Sequence, residues 1–182
     1  AFNHYLSDME ELGYTTAYEV LDAREFGIPQ ARKRLYAISQ LKNEFFNFNN
    51  LQRLPMRNIK EFLSDDYGKQ HIVDQPSMTA KLPGTENYDS YTRKLTEITT
   101  HALTITKQRR CLNAGVVKLP DGNYRLLTEL ETWRLMGFDD DDFCAASSVH
   151  RGMAGKLNGA LYHQAGNSIV VQVLEAIFKE LI

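Results

Sequence analysis

Gln30-Ala31-Arg32-Lys33-Arg34 places two guanidiniums two residues apart, just where an apolar stretch, Leu35 to Ser39, begins. In extended backbone, residues i and i+2 share a face, so both arginines can point into one cleft. A planar, permanently charged fork suits polarising a carbonyl oxygen or gripping a phosphate. The same residues also read as a solvated basic turn. A second group, Gly166-Asn167-Ser168, precedes a long apolar stripe. Free amides at a helix start, with Asn and Ser side chains beside them, make a place for a carboxylate or a ribose-like ligand. The plainer reading is that Asn167 or Ser168 caps the helix. Third, residues 90–118 hold Arg93, Lys94, Lys107, Arg109, Arg110 and Lys118 against the single acid Glu97, a local charge of +5, whereas residues 129–142 carry −5. Basic residues interleaved with Thr, Asn and Tyr suit phosphate and base-edge contacts; a solvated β surface fits the composition nearly as well.

Other patterns lead nowhere. Gly152-Met153-Ala154-Gly155-Lys156-Leu157 has its glycines too close for a phosphate loop, and Leu157 stands where Ser or Thr is required. His150 and His163 lack partners at metal spacing, so no metal site is expected. Cys111 and Cys144 make no disulfide framework, which favours a reducing, cytoplasmic setting. The formal net charge of −2 over 182 residues excludes a globally basic nucleic-acid coat but not a local basic face. No apolar run approaches a membrane span, and no signal peptide is expected. The first residue is Ala1 and a helical pattern begins at once, so the chain reads as part of something larger.

The elements that must position these residues are legible in three blocks. Phe2, Tyr5, Leu6, Met9 and Leu12 recur at helical spacing, with Gly13 at the expected end. Tyr14 to Val20 and Leu35 to Ser39 read as strands joined by a turn-rich link, Asp22 to Arg32. From residue 41 to 124 the texture changes: a short helical candidate at Asn58 to Leu63, then a threonine-dense run without helical period, read as an irregular, mostly β insert. Helical grammar returns with the capping box Thr128-Glu129-Leu130-Glu131 and a stop at Gly137. The aspartates 139–142 read as a solvated loop, and Ile169, Val170, Val173, Leu174, Ile177, Phe178 and Leu181 form the stripe of a buried final helix.

Taken together, three blocks resemble one family. Asp22-Ala23 through Phe26-Gly27-Ile28-Pro29-Gln30-Ala31-Arg32-Lys33-Arg34 resembles the Gln-x-Arg-x-Arg block of the DNA (cytosine-5) methyltransferases. Arg125-Leu126-Leu127-Thr128, with Glu131 and Arg134-Leu135-Met136-Gly137-Phe138, resembles the next block, and Leu161 to Val170 the last. They occur in the family's order around an insert where the family keeps its target-recognition domain. The resemblance implies an α/β fold: a partial Rossmann-like methyltransferase sheet (1–40), a recognition domain (41–124), and returning helices that complete the catalytic domain (125–182). It implies methyl transfer from S-adenosylmethionine to C5 of a cytosine flipped out of double-stranded DNA, as in bacterial or phage modification systems. By position it gives Arg34 the task of stabilising charge at the cytosine O2, with Arg32 and Gln30 organising the strand mouth. Asn167, Ser168 and Ile169 would line the cofactor pocket. Thr104-Ile105, with Lys107, Arg109 and Arg110, would face DNA.

The departures are equally specific. The family's nucleophile follows a proline, and no proline here precedes a cysteine. Its Glu-Asn-Val motif is missing, Glu86-Asn87-Tyr88 being a look-alike in the wrong place, and the glycine-rich cofactor strand is absent. Glu129-Leu130 stands where the family often has Pro-Arg. The chain is therefore expected to need an N-terminal catalytic half, which would bury the apolar faces it exposes; self-association of the isolated chain would use the same surface. The alternative from another class is a sequence-specific DNA-binding module without catalysis.

Overall fold

The short apolar spacing near the N-terminus folds as helix α1, Phe2–Glu11, and Gly13 at φ +81° turns the chain into strand β1, Tyr14–Asp22. The Phe2 ring meets Tyr18 edge-on at 5.0 Å, and the Tyr5 hydroxyl bonds the Ser39 hydroxyl at 3.0 Å, which seats α1 on the strands. Strand β2, Lys33–Leu41, runs antiparallel to β1, with Tyr14 opposite Leu41 and Asp22 opposite Lys33. Together they form a two-stranded sheet. The link between them is tightened by Asp22, whose carboxylate caps the turn Ala23–Glu25 and pairs with Arg24 at 2.6 Å. The computed structural model describes residues 1–41, 45–86, 88–108 and 111–182.

The insert is irregular, as its sequence texture implies. Its regular β structure is the hairpin of β3, Val116–Lys118, and β4, Tyr124–Leu126, supplemented by isolated bridges such as Gln30 with Ala102 and Ile72 with Arg125. Ahead of the hairpin, the described residues of the insert form single 3-10 turns and one four-residue helix, α2, Pro76–Thr79. The helical candidate at 58–63 is a 3-10 turn, Ile59–Glu61, with an Asn58/Glu61 capping box. Two apolar cores result. The larger joins Leu21, Phe26, Phe62, Ile105, Trp133 and Tyr162, drawing on all three sequence blocks. The smaller, around Val73, Leu82, Leu95, Val116 and Leu126, lies chiefly within the insert.

Helix α3, Glu129–Arg134, starts at the Thr128/Glu131 capping box, and Gly137 follows at φ +89°. The aspartate run is not a loop: Asp139 caps α4, Asp140–Val149, and Asp142 reaches back, so the acids sit where the helix dipole favours them. The final block also differs from the sequence reading. Gly166 and Asn167 close helix α5, Gly159–Asn167, and Ser168 is its C-cap. The last helix, α6, Val171–Leu181, begins only after Val170, which has no side-chain cap. Its apolar stripe is buried at Val173, Ala176 and Ile177. Among the described residues, no helix is long and apolar enough to cross a membrane.

Candidate functional site

Gln30 and Arg32 occupy the extended link just before β2, and the chain folds so that both lie inside, at 0% and 7% exposure. The Gln30 amide donates to the Leu135 carbonyl at 2.7 Å, while its oxygen accepts the Ile105 amide at 3.0 Å. Arg32 donates to the carbonyls of Ile105 at 2.6 Å, Gly166 at 3.2 Å and Ser168 at 2.9 Å. These two side chains tie the link to the insert, to the end of α3 and to the end of α5. Burial, with the charge of nearby Arg34, pushes the Arg32 guanidinium below its ordinary pKa, and Tyr36 opposes this.

Arg34 is put to a different use. It is exposed at the mouth of β2, and its Nη1 donates to the carbonyl of neighbouring Lys33 at 2.7 Å. The two arginines are close enough to influence one another, yet Arg32 is spent on main-chain carbonyls. They do not open together into one cleft as the i, i+2 spacing suggested. Tyr36, next on the same strand face, has its hydroxyl pKa raised by burial and pulled back by Arg32 and Arg34.

The last block is brought to the same junction. Ser168 donates its hydroxyl to the Gln164 carbonyl at 2.8 Å and its amide to the Gln164 and Ala165 carbonyls. That corrects the reading of a helix start with free amides: Ser168 is consumed by capping α5. Asn167 and Ile169 are exposed, Ile169 at 50%. His163 Nδ1 faces the Lys107 carbonyl at 3.2 Å, and the Asn167 amide nitrogen lies 2.9 Å from His163 Nε2. With the Asn167 amide nitrogen as donor, His163 Nε2 is the acceptor of that pair.

In the insert, Thr104 donates its hydroxyl to the Ala31 carbonyl at 2.6 Å. Ile105 is fully buried, so its expected contact with DNA is corrected: it anchors the insert through its backbone. Gly166 is placed so that a Cβ would collide with the Thr106 main chain, which is why glycine fits there. Lys107 is exposed beside this junction, while Arg109 and Arg110 lie outside the described residues. Elsewhere in the insert, Lys94 is engaged by Asp89 at 2.7 Å and by the Tyr88 ring. Burial pushes the Cys111 thiol up to about 12, so it supplies no thiolate near neutral pH.

Sequence reasoning missed the insert's contact with the start of α5. A cleft of about 990 Å³ separates the insert from α5, with Lys69, Ile72, Met78, Lys156 and His163 among its walls. Behind it, Arg125 binds both oxygens of Glu131 at 2.8 Å, stacks over Tyr67, and donates to the Ser64 carbonyl at 3.0 Å. His71, 4% exposed, lies 3.0 Å from the Glu129 carboxylate. Neither partner carries a local sequence signal, because 58 residues separate them. Among the described residues, no group of His, Cys, Asp and Glu could hold a metal ion.

Comparison with known proteins agrees with this architecture. The chain belongs to the C-5 cytosine-specific DNA methylase family, whose sequence model matches residues 1–182. It is 40% identical over 187 residues to the type II methyltransferase M2.ScrFI of Lactococcus lactis subsp. cremoris, covering 99% of this chain and 49% of that enzyme. It is 30% identical over 180 residues to the type II methyltransferase M.MspI of Moraxella sp, covering 97% of this chain and 40% of that enzyme. The chain thus spans about half the length of the curated relatives it matches. The fold is also that of a Dnmt2 methyltransferase from S. pombe, at a TM-score of 0.69 and 18% identity, over 99% of this chain and 59% of that one.

Proposed function

We propose that this chain is the C-terminal part of a DNA (cytosine-5) methyltransferase, in which residues 41–124 recognise double-stranded DNA and Arg34 serves the reaction. The observation that carries the reading is the division of labour along Gln30–Arg34. Gln30 and Arg32 are buried and bound, whereas Arg34 is exposed at the strand mouth with its charge available. S-adenosylmethionine supplies the methyl group when bound, and Asn167 and Ile169 form one wall for it. Arg34 stabilises the negative charge that gathers on a flipped cytosine, so its contribution belongs to the transition state. The open edges of the β1–β2 sheet suit pairing with strands of an N-terminal half, which would bring the nucleophile and the rest of the cofactor pocket. No membrane partner enters this reading, and the setting is cytoplasmic.

The test is methylation of mixed-sequence duplex DNA with labelled S-adenosylmethionine, by the chain alone and with a catalytic half. Transfer is expected only with the half present; transfer by the chain alone overturns the division. In the assembled enzyme, Arg34→Ala should slow single-turnover methylation by roughly 10²–10³-fold, the scale of losing one preorganised donor. DNA affinity should change far less. Equal losses of rate and affinity would make Arg34 a binding residue, and DNA binding without methylation under any pairing would favour a recognition module instead.

A further inference from the structure

Glu129 opens α3 with a carboxylate that is 12% exposed and engaged on both oxygens. Its Oε2 lies 3.0 Å from His71 Nε2, in the insert's turn Lys69–His71. Its Oε1 accepts the amide of Asn158, the N-cap of α5, at 2.5 Å. One carboxylate therefore joins the insert, α3 and α5, and the residues that follow its two partners, Ile72 and Gly159, both line the cleft.

The histidine makes this junction conditional. His71 Nδ1 lies 3.2 Å from the Gly68 carbonyl, so both ring nitrogens face acceptors. A neutral imidazole carries a single N–H, and only the imidazolium donates to both. Among the described residues, Lys69 and Asp74 line the cleft from the insert, and His150, Lys156 and His163 line it from the C-terminal block. Arg125, bridged to Ile72, is neutralised by Glu131 at 2.8 Å. Tyr162 of α5 donates to the Leu127 carbonyl at 2.6 Å, and burial keeps its hydroxyl protonated. Burial pushes Glu129 up, but its bonds from His71 and the Asn158 amide outweigh this, and its carboxyl lies below the usual value of 4.5. The carboxylate thus stays charged throughout the range in which a histidine titrates.

We propose that Glu129 is a positioning residue for DNA recognition: by holding His71 and the Asn158 amide together it fixes the insert's wall of the cleft against α5, and it does so fully only while His71 is protonated. The recognition role rests on the function proposed above; the clamp itself does not. When the ring holds a single proton, one of the two His71 bonds is lost and the insert loosens over α5.

Three measurements on the full chain separate these claims. Nitrogen-resolved histidine spectra recorded across a pH series should show a state in which both His71 nitrogens are protonated, and the loss of one proton on raising the pH. A ring that is neutral throughout overturns the proposal. Amide-exchange protection, corrected for intrinsic pH dependence, should fall at Ile72 and Val73 as His71 deprotonates. In Glu129→Gln, Asn158 should lose about tenfold in protection, the scale of one hydrogen bond to a charged group. In His71→Gln, which keeps one donor toward Glu129, the pH dependence should vanish, and α6 amides should stay unchanged in every variant. Persistence of the pH profile in His71→Gln overturns the proposal. Finally, duplex DNA affinity should weaken with rising pH in the parent chain more steeply than in His71→Gln. Equal slopes, with the first two results intact, leave a clamp that positions nothing for DNA and refute the positioning role. Absence of DNA binding in every variant refutes the reading of the insert instead, and the spectra and exchange still report on the clamp.

Discussion

At Arg32 the insert meets the β1–β2 link through a guanidinium and three main-chain carbonyls; at Glu129 it meets α3 and α5 through a carboxylate, an imidazole and an amide. The first junction uses a group that is charged at every accessible pH and acceptors that never titrate. The second uses two titratable side chains facing each other. One attachment is therefore permanent and the other adjustable. A module held in this way keeps one fixed attachment beside one that can respond.

The largest expected effect tests the fixed end. Arg32→Ala removes the donor from three carbonyls at a buried site, and should cost about 3 kcal/mol or more in urea unfolding, since each buried group left unpaired costs about 1–3 kcal/mol. Arg32→Lys should restore less than half, because an ammonium lacks the planar fork. A loss under about 1 kcal/mol would mean water replaces the guanidinium and the pivot is illusory. Next is Gly166→Ala, whose Cβ meets the Thr106 main chain; overpacking of this kind should cost about 1–3 kcal/mol, and a neutral result would show that the junction has slack.

Glu129→Gln sharpens the comparison through pH. A carboxyl held below its usual value contributes stability that is fully present above 4.5 and lost as pH falls through the depressed value. The variant should therefore be less stable near neutrality, and the gap should narrow as pH drops below 4.5. A gap that is constant in acid would show that the charge of Glu129 does not matter. Arg34→Ala should move stability by no more than about 0.5 kcal/mol, because its guanidinium is exposed and, among the described residues, bonds its neighbour's carbonyl. A larger loss would place Arg34 with Arg32 as a structural residue.

What the sequence disclosed was local. The spacing of Phe2, Tyr5 and Met9, the β-rich run from Tyr14, and the Thr128/Glu131 capping box each carry their own geometry within a few residues. The aspartate run misled because a capping box made only of aspartates, Asp139 with Asp142, has the composition of a solvated loop. The α5–α6 boundary misled because Ser168 has the chemistry of an N-cap but serves as the C-cap of the helix before it. The site was legible as a set of residue types, through the ordered Gln30–Arg34 and Leu161–Val170 blocks. Which arginine would be buried was not, since the carbonyls that claim Arg32 lie 73 to 136 residues away. The His71–Glu129 contact was silent for the same reason.

Those separations bear on the order of folding. Arg32 is made before any of its acceptors: Ile105 follows most of the insert, and Gly166 and Ser168 come only as α5 is completed. Closing such loops costs chain entropy before any bond repays it, so contacts of long sequence separation form late. Arg32 is thus the latch that shuts once local elements stand. In stopped-flow kinetics, Arg32→Ala should accelerate unfolding and leave the refolding rate nearly unchanged. A matching drop in the refolding rate would place the latch inside the folding nucleus.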